Sequence, residues 1–224
     1  MLRELPRVVP APPDRPEFAG PDHPMRKVTR QVAFEAGGWT PERAAKVAAL
    51  FNGLAAEWQA RTSEHRVEPI EDALARGRAG TGLCVEIGSG TGNASGVLAK
   101  QFARVLAMDL AIEMLRRAPA LDAARVQADA ARLPLADASA DAVVLVNALL
   151  FPDEVARVLA PGGCVVWVNT LGDRTPIHLP AADVDRALPG DWTGTASEAA
   201  WGTWCVLRRS PARTRSVEVG RDNP

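Results

Sequence analysis

The sequence predicts an α/β fold built as a doubly wound, mostly parallel sheet around one core. Beyond residue 82, short apolar runs rich in valine and leucine alternate with helical stretches. These runs lack the polar alternation of a half-exposed strand, as expected of strands covered on both faces. The first run also ends in a glycine-rich turn, the usual hinge of a strand–turn–helix unit. A length of 224 residues with 47% apolar and 24% charged residues suits one domain with a short appendage.

Taken in order, residues 1–24 carry prolines at 6, 10, 12, 13, 16, 21 and 24, which remove amide donors and forbid a continuous helix. This arm is read as extended: a free tail, or a strap over a pocket or a partner subunit. Residues 25–82 form a helical segment. Thr40, Pro41 and Glu42 give a helix start with a capping hydroxyl, a proline at the first position and an early acid. Ala44, Val47, Ala48, Phe51, Leu54, Ala55 and Trp58 then recur at three- and four-residue steps. Such spacing makes an apolar stripe, read as core packing. A second short helix is expected from residue 69 to about 75. Gly77, Gly80 and Gly82 mark the entry to the main domain at 83–210.

Within that domain, strands are expected at 83–87, 105–110, 125–128, 142–146 and 164–169, then a helical stretch at 181–188. Segments 192–200 and 202–208 pair as a C-terminal antiparallel hairpin, and residues 211–224 form a tail.

Composition removes several function classes. A net charge of −1 offers no basic excess for a phosphate backbone, so nucleic acid is not an expected partner. Cys84, Cys164 and Cys205 lie far apart in strand-like runs and read as small buried hydrophobes. No apolar window reaches membrane-spanning length, and a cytoplasmic location follows by default. His23, His65 and His178 are scattered, so no metal site is expected.

The segment that carries chemistry is Val85-Glu86-Ile87-Gly88-Ser89-Gly90-Thr91-Gly92. Alternating glycines let backbone approach a ligand where a Cβ would clash, and a helix beginning near Asn93 would turn its free amides toward it. Asp109 ends the next expected strand, 17 residues beyond Gly92. Ligands of open α/β sheets sit at these carboxyl ends, where an acid suits ribose hydroxyls. A purely structural turn also fits the glycines. A nicotinamide-binding G-x-G-x-x-G turn would need glycine at Asn93 and an apolar residue at Glu86.

With these residues assembled, the chain resembles the class I S-adenosylmethionine-dependent methyltransferases. Glu86, Gly88, Gly90 and Gly92 match that family's first motif, and the likeness runs over about residues 83–208. It implies a Rossmann-like fold with the N-terminal helical segment as a lid. It further implies S-adenosylmethionine as cofactor, with the loop, including Ser89 and Thr91, cradling its methionine part. By the same resemblance Asp109, followed by Leu110, takes the ribose hydroxyls, and Met114 lies against adenine. Asp129 accepts from the adenine amino group, with Ala130 contributing backbone. Residues 147–151, led by Asn147, line the cofactor and acceptor pocket.

The acceptor is expected to be a small molecule, because residues 147–150 lack the proline-proline-aromatic element of base-amino methyltransferases. Whether oxygen, nitrogen or carbon is methylated stays open, as does the oligomeric state. His178, after the fifth strand of the main domain, is the candidate base, with a structural loop histidine as the alternative. The tryptophans read either as core or as pocket walls, and Trp39 beside Gly37-Gly38 is the lid candidate. A protein that binds the cofactor without transferring methyl is compatible with the same motifs.

Overall fold

The computed structural model describes residues 1–14, 20–58 and 66–210. His65, residues 15–19 of the expected arm and the expected tail at 211–224 lie outside the described residues. In chain order the elements are β1 (Leu2–Glu4), α1 (Met25–Phe34), α2 (Pro41–Leu54), α3 (Glu68–Arg76) and β2 (Leu83–Ile87). They continue with α4 (Ser95–Gln101), β3 (Arg104–Asp109), α5 (Ile112–Arg117), β4 (Ala124–Gln127) and β5 (Ala140–Val146). The last are α6 (Pro152–Val158), β6 (Leu159–Asn169), α7 (Ala181–Ala187), β7 (Trp192–Ala199) and β8 (Gly202–Arg209).

One sheet runs in the order β1-β7-β8-β6-β5-β2-β3-β4. All its pairings are parallel except those of β8 with β6 and β7, so the expected hairpin stands at one end of a parallel sheet. From β2 the chain winds outward through β3 and β4, then returns to β5 on the other side. The reversal opens a crevice above β2 and β5, the place where ligands bind in open α/β sheets.

Successive side chains of a strand point to opposite faces, and here both faces are covered. Val85, Val143, Leu145 and Val165 join one core with Val155, Val158 and Val184 of α6 and α7. Cys84, Val144 and Val166 join the other with Leu74 of α3 and Leu98 of α4. Each such apolar side chain contributes about 1.5–3 kcal/mol by leaving water. The three cysteines are free and buried.

Three expectations change. The helix after the glycine turn begins at Ser95, because residues 90–94 are taken up by turns. The N-terminal arm starts as β1, paired in parallel with β7 at the sheet edge. There Arg76 grips Asp72 with two bonds of 2.7 Å and donates to the carbonyl of Pro6 at 2.9 Å and the hydroxyl of Ser197 at 2.7 Å. Three strands separate β1 from β5, so these residues strap the sheet and not the crevice. Third, α2 is capped by Thr40, whose Oγ1 accepts from the Arg43 amide at 3.2 Å, but none of its residues is buried. Among the described residues no helix is long and apolar enough to cross a membrane.

Candidate functional site

The site grows from the end of β2. Gly88, Gly90 and Gly92 all take positive φ, at 70°, 56° and 82°. A Cβ on Gly88 would stand 2.8 Å from that of Ala148, so the turn both bends left-handed and passes close to the end of β5. The turn is tied to β3 through Ser89, whose amide donates to the Met108 carbonyl at 3.0 Å. Asp109 completes the tie. Its Oδ2 accepts from the Gly90 amide at 2.8 Å and its Oδ1 from the Ala111 amide at 2.7 Å. Burial raises the Asp109 carboxyl above its ordinary value, and these backbone bonds pull the other way.

Glu86 lies beneath the turn, 2% exposed, with the Ser95 hydroxyl donating to its Oε2 at 2.5 Å. Burial pushes its carboxyl up to about 8, helped by the charge of Asp109 and opposed by the Ser95 bond. Asp129, just past β4, accepts from the Ala131 amide at 2.9 Å and from the Trp39 indole N–H at 3.0 Å to each oxygen. Asn147, at the end of β5, holds φ 50° and exchanges hydrogen bonds with Thr170 at the end of β6. Left-handed backbone off glycine costs about 1–2 kcal/mol and persists where surrounding contacts enforce it.

These groups share one crevice with roughly 1170 Å³ of atom-free space, mouth included. Glu86, Gly88, Ser89, Gly90, Asp109 and Leu110 line it from the crest of β2 and β3. Met114, Asp129, Ala130 and Asn147 line it further along. Thr91 and Gly92 do not reach the lining, and neither does His178. The His178 ring faces Arg26, with Nδ1 3.0 Å from the guanidinium, and burial followed by that charge lowers its pKa to about 4.

The roof divides the apolar stripe between two tasks. Val47, Ala48, Phe51 and Trp58 line the crevice, while buried Ala55 packs with Phe51, Leu54 and Trp58 against Ala111 and Met114, the core packing expected of the stripe. Phe51 packs edge-on against Trp58 at 5.6 Å and Trp39 against Phe151 at 5.2 Å. Arg66, Thr170 and Ile177 also line the crevice and were not singled out from the sequence. Arg66 sits in no motif, whereas the end of the fifth strand of the main domain was the available signal for Thr170.

Residues 85–167 match the family model of a methyltransferase domain. The chain is similar to the dimethylglycine N-methyltransferase of Parasynechococcus marenigrum (strain WH8102), 33% identical over 155 residues. The match covers 62% of this chain and 54% of that protein, so the chain spans about half the length of the curated relative. Among solved structures, the DhpI–SAH complex aligns with a TM-score of 0.63 at 23% identity, over 75% of this chain and 97% of that one. A SAM-dependent methyltransferase from Aquifex aeolicus aligns at 0.54 and 16%, again over 75% of this chain and 97% of that one. At these identities both structural likenesses speak for the fold.

Proposed function

We propose that the protein binds S-adenosylmethionine along the crest of β2, β3 and β4 and transfers its methyl group to a small organic acceptor. The observation that carries this reading is the glycine turn itself, left-handed at three alternate residues and fastened by Asp109 to the next strand. The donor set fits the cofactor. The hydroxyl of Ser89, which lines the crevice, is buried without a hydrogen-bond partner. Asp109 and Asp129 lie at the ends of neighbouring strands, and Met114 is 1% exposed against the same crevice.

In this reading the turn from Gly88 to Gly92 holds the methionine part, Asp109 the ribose hydroxyls, Met114 and Leu110 the adenine faces, and Asp129 with Ala130 the adenine edge. The cofactor supplies a methyl group activated on a sulfonium. The chain's contribution is alignment and exclusion of water, and effective molarities of about 10⁵–10⁸ M make alignment sufficient for most of the rate. Trp39, Phe51 and Trp58 roof the crevice, the role expected of the N-terminal segment as lid.

No imidazole lines the crevice among the described residues, and its acids belong to the proposed cofactor side. An acceptor that brings its own lone pair therefore suits it best. Small amines head the candidates, as the likeness to a dimethylglycine N-methyltransferase suggests. The reading also carries a cytoplasmic setting and no role for nucleic acid. Calorimetry with S-adenosylmethionine, followed by transfer of labelled methyl to a panel of amines that includes dimethylglycine, tests it. Absence of cofactor binding would end it, and binding without labelling of any acceptor would leave a cofactor-binding protein.

A further inference from the structure

The floor of the crevice holds a buried acid that carries none of the contacts proposed for the cofactor. Glu86 is 2% exposed yet lines the cavity. Its neighbours across the sheet are apolar, Ala107 on β3 and Val144 on β5. From α4 it meets only the Ser95 hydroxyl, on β2 the buried Cys84 thiol, and from the end of β3 the carboxylate of Asp109. Arg66 and Asp129 line the same cavity, but the charge that acts on Glu86 is the negative one of Asp109. Beside it, the Ser89 hydroxyl is buried without a hydrogen-bond partner.

A carboxylate can be taken out of water beside a second one only if a proton or a cation accompanies it. We propose that this floor is a proton-for-cation exchange site: the Glu86 carboxyl releases its proton to solvent when the positively charged methionine end of the cofactor enters. The inference rests on the reading of the crevice as an S-adenosylmethionine site. No bond is made or broken apart from the carboxyl O–H, whose proton leaves as the ligand's positive charge takes its place. The carboxyl's elevation to about 8 means that the proton is still held at neutral pH, so the exchange is measurable there. Cofactor affinity therefore rises with pH until the carboxyl ionises unaided.

Calorimetric titration at pH 7 in two buffers of different ionisation enthalpy counts the protons. S-adenosylmethionine should release about one proton per site, because a carboxyl titrating near 8 is mostly protonated at that pH. Adenosine, which carries no positive group, should release none. Glu86→Gln should bind S-adenosylmethionine with no release. Zero release from the natural protein, or undiminished release from Glu86→Gln, overturns the proposal. Should the variant fail to fold, the natural protein still decides it. Its affinity should climb nearly tenfold per pH unit from about pH 6 to 7.5 and level off near 8, the slope of one linked proton. A flat profile overturns the exchange while leaving the binding site intact, whereas no binding at any pH removes the functional reading together with it.

Discussion

The floor and the roof of the crevice are built by opposite means. The floor is backbone: three left-handed glycines, two amides fixed on Asp109, and acids at strand ends with 2% exposure at Glu86. The roof is side chains, carried on the 14-residue α2, in which nothing is buried, and on Trp39 and Trp58 to either side of it, and it is held down near Asp129 by the Trp39 indole. A floor of this kind should hold its shape with or without ligand, while a roof with few buried contacts opens at low cost. Variants in the two regions should therefore differ in what they damage.

The largest effect is expected in the floor. Asp109→Ala leaves the Gly90 and Ala111 amides without their acceptor as well as removing the proposed ribose contact. Bonds to a charged group are worth about 1.5–3 kcal/mol each, so cofactor affinity should fall by at least ~100-fold in calorimetry. Gly90→Val should be comparable, since its φ of 56° strains any β-branched residue and its Cβ would sit 3.4 Å from the Trp58 indole nitrogen. If either variant binds normally, the floor is not the determinant.

Next comes a stability effect that belongs to the floor alone. Because the Glu86 carboxyl is raised to about 8, the folded chain keeps a proton that the unfolded chain loses above its ordinary value of 4.5. Stability should then fall as pH rises from about 4.5 to 8, by up to ~1.4 kcal/mol per pH unit, and level off beyond. Glu86→Gln should flatten that slope in thermal melts and be the more stable protein at pH 8. Parallel slopes for the two proteins would mean that the acid is solvated.

A smaller effect is expected in the roof. Trp39→Phe keeps a ring against Phe151 but loses the N–H to Asp129, a partly exposed contact. A loss of about 1 kcal/mol, or some fivefold in cofactor affinity, with an unchanged melting temperature is expected. A deficit as large as that of Asp109→Ala would abolish the distinction between floor and roof.

The same contrast governs what the sequence made legible. Strands 83–87 and 202–208, the glycine turn, Asp109 and Asp129 were readable because local backbone rules dictate them: buried strands need apolar runs, and close approach needs glycine. The stripe from Ala44 to Trp58 was read only in part, because a three- and four-residue period says that a helix has an apolar face, not how that face is shared between a core and a crevice. Arg66 reaches the crevice only through tertiary placement, and no spacing encodes that. Of the arm read as extended, Leu2–Glu4 is a strand, while Gly20–Asp22 turn as a short 3-10 helix. The arm's destination on the edge of β7 depends on the Arg76–Asp72 pair and on Ser197, far away in sequence.

His178 gives the sharpest test of position against proximity in sequence. Its neighbour Ile177 lines the crevice, yet the imidazole turns away and meets Arg26, which also donates to the Asp173 carbonyl. Burial and that guanidinium lower its pKa to about 4, so the folded chain refuses a proton that the unfolded chain accepts from about 6.5 downward. The ring thus contributes stability above that range and loses it as pH falls toward 4. His178→Ala should melt less acid-sensitively than the natural protein while differing from it by about 1 kcal/mol or less at pH 7, where both states hold the ring neutral. Cofactor affinity and turnover at pH 7 should be unchanged, because nothing on the crevice wall is altered. A tenfold or greater loss of turnover with normal cofactor binding, corresponding to about 1.4 kcal/mol of barrier, would instead return the imidazole to the acceptor side as a base.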